Sequence, residues 1–233
     1  MLDVHCRELQ ITELMEAAAN VAAMPPGTPG AQTVLQQPVR RAADEIKRLL
    51  QQNIEVYCEQ MDYSSEEDLL IYAERASDFL ILELAEHFRR YNVRNLPAFD
   101  GVKYVTTVRS AALVTKRTSG HVTASFAEAM CPWVLKRLNI SDGTFLRLRS
   151  LSPGPFGEMV PDMVIPAGGQ EVPCEIKHYA DGHVRWDGIQ TAISQLAAAL
   201  LVMPATEGYL FAAISHPAAG QSRYRIEVIR LVT

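Results

Sequence analysis

Asp162, Glu175 and Lys177 are the residues of this 233-residue chain whose types and spacing could do chemistry. They stand in two apolar segments, Val160 to Ile165 and Val172 to Tyr179, separated by Pro166, Ala167, Gly168 and Gly169. Each segment reads as a strand, and the Pro/Gly stretch between them as a hairpin turn. Side chains alternate along a strand, so Glu175 and Lys177 project one way while Cys174, Ile176 and His178 project the other. Antiparallel pairing of the two strands sets Asp162 beside Glu175. Two apposed carboxylates repel unless a cation joins them, and hard oxygen donors suit Mg²⁺ or Mn²⁺. Such an ion keeps several waters, polarises a phosphodiester and lowers the pKa of water. A neighbouring lysine then holds that water or offsets charge building on the phosphate. The chemistry expected is metal-assisted hydrolysis of a phosphate ester.

The elements that must position these residues are legible on either side. Upstream, Ser125 to Leu138 has helical spacing, with Pro132 inside it as a source of a kink or a late start. Phe145 to Arg149 alternates apolar and basic residues at strand period. Downstream, a long helix is expected from Trp186 to Val202, then closing strands at Tyr209–Ile214 and Tyr224–Leu231. This back half, about residues 102–233 with a further strand at Tyr104–Val108, reads αβββαββ: an α/β sandwich on a mixed sheet. Pro173 lies inside the second hairpin strand, so that strand must be locally at an edge or bulged.

The front half, residues 1–101, reads as a helical region or cap. Periodic segments run from Leu9 to about Met24, from Val34 to Met61, and from Ser64 or Ser65 to Arg90, with a Pro/Gly/Thr loop at 25–33. The third is apolar nearly all round at Phe79 to Leu82, which marks a central helix or an interface. The expected role of this half is to bind a partner protein or a second copy of the chain, or to regulate the back half.

Pro161-Asp162, twelve intervening residues, then Glu175-x-Lys177 resembles the motif of the PD-(D/E)XK, or restriction-endonuclease-like, nucleases. The resemblance covers roughly residues 120–233, and the αβββαβ order is similar to that family's core. It implies that Asp162 and Glu175 bind Mg²⁺, with Mn²⁺ able to substitute, and that Lys177 orients or activates water. It also implies a third acid on the preceding helix, matched by Glu128, and a positioning glutamine on the following helix. Gln190 and Gln195 both qualify for that last role, Gln190 first because it lies nearer the helix start. The activity implied is a metal-dependent deoxyribonuclease, in a setting such as bacterial restriction or anti-phage defence. The alternative is a non-catalytic subunit on the same fold that binds nucleic acid or a partner.

Composition permits this reading. The net charge of −5 divides unevenly, with −8 in residues 1–100 and +3 in residues 101–233. An acidic front thus precedes a mildly basic back. Lys116, Arg117, Arg147, Arg149 and Arg185 are the candidates for phosphate contacts, with Arg223 and Arg225 beside them. Four cysteines are widely scattered, with no C-x-x-C pair, and none of the histidines shows H-x-x-x-H spacing; neither zinc nor a disulfide framework is expected. The longest apolar run, Leu196 to Met203, is far shorter than the roughly 20 residues of a membrane span. The chain is expected to be cytoplasmic, with DNA as partner and no membrane association.

Overall fold

The computed structural model describes residues 2–25, 28–51, 58–61, 127–128, 130–147, 160–179, 182–216 and 223–233. The expected helix at 64–90, the strand at 104–108, and Lys116, Arg117 and Arg149 lie outside them. In chain order the described elements are β1 (Leu2–Gln10), α1 (Thr12–Ala22), α2 (Ala31–Gln51) and β2 (Cys58–Met61), then a helix α3 ending at residue 137. There follow β3 (Leu146–Arg147), β4 (Met163–Ala167), β5 (Gln170–Tyr179), α4 (Trp186–Val202), β6 (Glu207–His216) and β7 (Arg223–Val232). The strands form one mixed sheet in the order β2-β1-β7-β6-β5-β4-β3. From α3 onward this is the αβββαββ succession that periodicity predicts, in an α/β chain.

At the front the outcome differs. Residues 2–10 form β1, although periodicity predicts a helix from Leu9, and β1 runs parallel to β7 from Leu2↔Tyr224 to Gln10↔Val232. The helix begins only at Thr12, after Ile11 donates its N–H to the Val232 carbonyl. The second periodic segment also stops early: α2 ends at Gln51, and residues 58–61 pair antiparallel with β1. The physical reason is competition between local and non-local bonding. Leu2-Asp-Val-His-Cys-Arg7 alternates apolar and polar residues, and the open edge of β7 offers a full ladder of hydrogen bonds that an isolated helical turn cannot match. β1, α1 and α2 are therefore built onto the same sheet as the back half rather than held apart from it.

Each sheet face buries its own core. On one face Val4, Met163, Ile165, Cys174, Phe211 and Val228 pack against Met130, Trp133 and Val134 of α3. On the other Leu9, Tyr179, Leu210, Ile214 and Leu231 pack under Ile189, Ile193 and Leu196 of α4, with Leu14 of α1 and Ile46 of α2 alongside. β5 and β6 run parallel, so the chain must cross over between them, and α4 is that crossover.

The hairpin turn is tighter than the Pro/Gly stretch suggests. β4 continues through Pro166 and Ala167, and only Gly168 and Gly169 make the turn, with φ of +58° and +79°. Positive φ at both central residues is the type I′ pattern, whose twist matches the flanking strands. Pro173 is accommodated as the edge reading requires. It pairs with Val164 of β4, and β6 joins β5 only from Cys174 onward.

The structure makes β1 essential to the core. Replacing fully buried Val4 with aspartate is expected to lower stability by more than about 3 kcal/mol, the cost of an unpaired charge in an apolar layer. Urea denaturation followed by circular dichroism measures it. A change below about 1 kcal/mol would mean that β1 does not dock in the sheet in solution.

Candidate active site

The register of the hairpin assembles the site. Met163 pairs with Cys174, which puts Asp162, one residue before β4, opposite Glu175. The two residues then clasp each other. The Asp162 backbone N–H donates to Glu175 Oε2 at 3.1 Å, and the Ile176 N–H donates to Asp162 Oδ2 at 2.7 Å. Two positions further along β5, on the same face, Lys177 Nζ makes a salt bridge with Glu175 Oε1. The three residues that spacing singled out are joined in one hydrogen-bonded group.

Glu175 is the electrostatic centre of that group. Its side chain is only 1% exposed, while that of Lys177 is 22% exposed. Burial pushes the Glu175 carboxyl up to about 7, the Asp162 charge adds to the rise, and Lys177 offsets part of it. A carboxyl in this state is poised between neutral and ionised near physiological pH. A divalent cation shared with Asp162 would settle it as the carboxylate.

The two glutamines on α4 separate by position. α4 starts above the end of β5, where the Tyr179 hydroxyl donates to the Arg185 carbonyl at 3.4 Å, and runs back toward the start of the hairpin. Its second half therefore reaches the segment leading into Asp162. Gln195 Nε2 donates to the Val160 carbonyl at 2.8 Å, two residues before Asp162. Gln195 Oε1 is buried without a hydrogen-bond partner among the described residues. Gln190, the first choice from sequence, lies a turn and a half nearer the helix start, and its backbone carbonyl accepts the Ser194 hydroxyl. The glutamine bonded to the site's own segment is Gln195.

Glu128 stands on α3, whose apolar side covers the opposite sheet face from Glu175 and Lys177. Among the described residues no three His, Cys, Asp or Glu side chains form a group able to hold a metal ion. Glu128 and Asp162 both lie within electrostatic reach of Cys131, which packs between α3 and the sheet. Burial raises the Cys131 thiol well above its usual range, the adjacent Cys174 raises it further, and Asp162 and Glu128 add to this. The sulfurs of Cys131 and Cys174 lie 3.6 Å apart, directly behind Glu175 in the sheet.

Of the candidate phosphate contacts, Arg147 lies on β3 opposite Met163, one register step from Asp162. Arg185 is exposed at the N-cap of α4. A cluster that sequence reasoning missed sits on the same face as Glu175: Glu227 of β7, fully buried, with Arg7, His5 and Arg225 around it. Arg225 was marked as a basic residue, but nothing local marks Arg7 or Glu227, which lie 220 positions apart.

Comparison of the chain with protein-family models, with curated proteins and with solved structures gives no match.

The state of Glu175 predicts a pH dependence of folding in the metal-free protein. Its carboxyl holds a proton more tightly folded, near pH 7, than unfolded, near 4.5. The stability it contributes is full below about 4.5 and is lost as pH rises through about 7. Between pH 5.5 and 8, in EDTA, the wild-type chain is expected to lose about 2 kcal/mol that Glu175→Gln does not lose. Urea denaturation of both proteins at the two pH values measures it. Parallel pH profiles would show that Glu175 is not desolvated as the structure has it.

Proposed function

We propose that this protein is a metal-dependent nuclease that hydrolyses phosphodiester bonds, with DNA as its substrate. The observation that carries the reading is the reciprocal clasp of Asp162 and Glu175 with Lys177 on one face of the β4–β5 hairpin. The resemblance of these residues to the PD-(D/E)XK motif, and the αβββαββ order around them, support the same reading.

The donor set fits a hard divalent cation. Asp162 and Glu175 would hold Mg²⁺ or Mn²⁺ as two carboxylates, and such an ion takes its remaining ligands from water and a substrate phosphate. When bound, such an ion supplies Lewis-acid polarisation of the phosphodiester and lowers the pKa of water. The chain's own residues do the rest. Asp162 is held in place by the Ile176 N–H, which reduces the side-chain entropy lost at binding. Glu175, drawn out of water, interacts more strongly with a cation than an exposed carboxylate does. Lys177, partly exposed at the tip of the group, can turn its ammonium from Glu175 to a phosphate oxygen and offset the charge that builds there. Gln195 anchors the Val160 carbonyl and so steadies the approach to Asp162. A restriction or anti-phage setting belongs to this proposal through the family resemblance alone.

The test compares wild type with Lys177→Ala and Asp162→Ala on linear, circular and single-stranded DNA, with Mg²⁺, Mn²⁺ or EDTA. Cleavage is expected with either metal and not with EDTA, with each variant slower by roughly 10²- to 10³-fold. The circular substrate reports whether free ends are needed. Cleavage that persists at the wild-type rate in both variants would refute the assignment of the site. A folded wild-type chain that binds Mg²⁺ at this site yet leaves every substrate intact would refute the activity.

A further inference from the structure

Glu175 and Glu227 are the two fully buried charged residues among those described, and they lie on the same sheet face. Glu175 belongs to the site above; Glu227 has no part in it. The register places Glu227 beside His5 on β1 and beside Ala212 on β6, with Arg225 two residues before it on β7. All four thus stand on two neighbouring rows of one face.

The cations around Glu227 are bonded unequally. Arg7 is fully engaged: its Nε donates to Glu227 Oε2 at 2.8 Å, and its Nη1 donates to the Leu49 carbonyl near the end of α2. Arg225 and His5 are not. Arg225 Nε lies 3.0 Å from Glu227 Oε1, and His5 Nδ1 lies 3.4 Å from the same oxygen. Yet neither Arg225 Nε nor Glu227 Oε1, both buried, completes a hydrogen bond. The Arg225 side chain is 30% exposed and that of His5 26%. Asp3 is the register partner of Arg225 on β1 and has an interaction of its own.

Two guanidinium groups share the one buried carboxylate of Glu227. Arg225 also carries five N–H donors in a rigid fork, and buried or half-buried donors without acceptors are costly. An anion arriving from solvent would meet the fork from β7 and a ring N–H from β1. A planar carboxylate is used up by the fork alone. A tetrahedral phosphate offers oxygens to both directions at once.

We propose that this cluster binds a phosphate group through the Arg225 guanidinium and the His5 imidazole, with Arg7 and Glu227 forming the buried base that aims them. The site stands on the geometry of β1 and β7 and is independent of whether the hairpin site cleaves anything. Phosphate of this kind occurs both free and in a nucleic-acid backbone, and the probes below separate the two.

The experiment is a nuclear magnetic resonance titration of the full chain in EDTA, reading the His5 imidazole signals, which are assigned by their loss in His5→Gln. The probes are inorganic phosphate and a five-residue oligodeoxythymidine without terminal phosphate, at ionic strength held constant with sodium chloride. A saturable shift with either probe, beyond that in chloride, is expected. Saturation by the oligonucleotide identifies a diester backbone as an acceptable source, and saturation by inorganic phosphate alone identifies free or terminal phosphate. Arg225→Gln is expected to weaken binding by roughly tenfold or more, and Arg225→Lys, which keeps the charge without the fork, by less. No shift beyond chloride with either probe overturns the proposal, as does unchanged affinity in a folded Arg225→Gln. Because no cleavage is measured and no metal is present, this result is separable from the fate of the nuclease reading.

Discussion

The register of β4 against β5 is the constraint on which the candidate site depends. A two-residue turn at Gly168 and Gly169 leaves no slack between the strands, so Met163 must meet Cys174 and Asp162 must meet Glu175. A slip by one residue would turn Glu175 and Lys177 into the apolar layer under α3 and bring Cys174 and Ile176 to the α4 side. Both faces of this sheet are covered, so each wrong register would bury charge on one side and expose apolar surface on the other. The turn geometry and the two hydrophobic layers thus enforce the same alignment from opposite directions.

That alignment has an electrostatic consequence. Glu175 is taken out of water and placed beside a second carboxylate, with Lys177 paired to it. Glu227, the other fully buried acid among the described residues, is placed among two arginines and a histidine on the same face. One centre thus gathers carboxylates and the other guanidinium groups. The first is suited to receive a cation, the second an anion. Ala212 lies between them in the register, opposite Lys177 on one side and Glu227 on the other, so each centre keeps its own surroundings.

The amino-terminal strand gives the fold its longest-range dependence. β1 extends the sheet past β7, brings His5 and Arg7 to Glu227, and lets α1 and α2 close over the same face as α4. Contacts between residues more than 200 positions apart are slow to form, because loop closure must precede the pairing that rewards it. The hairpin and the β5-α4-β6 crossover, by contrast, are local and carry their own turn and helix signals.

Much of the back half was legible from sequence because its determinants are local. Alternation along Val172 to Tyr179 fixes which side chains share a face, and the glycine pair marks the turn. The bounds of α4 at Trp186 and Val202 follow from helical spacing alone. The three residues of the candidate site were likewise readable, since a hairpin converts sequence spacing directly into proximity. What only tertiary structure decided is everything that depends on another segment's free edge or layer. β1 could be read as the approach to a helix until β7 offered it a ladder of hydrogen bonds. Gln195 rather than Gln190 reaches the Asp162 segment because the direction of α4 across the sheet, not its sequence, sets which turn lies there. The charges gathered at Glu227 come from the two ends of the chain, and no local pattern encodes a meeting that exists only once the sheet has closed.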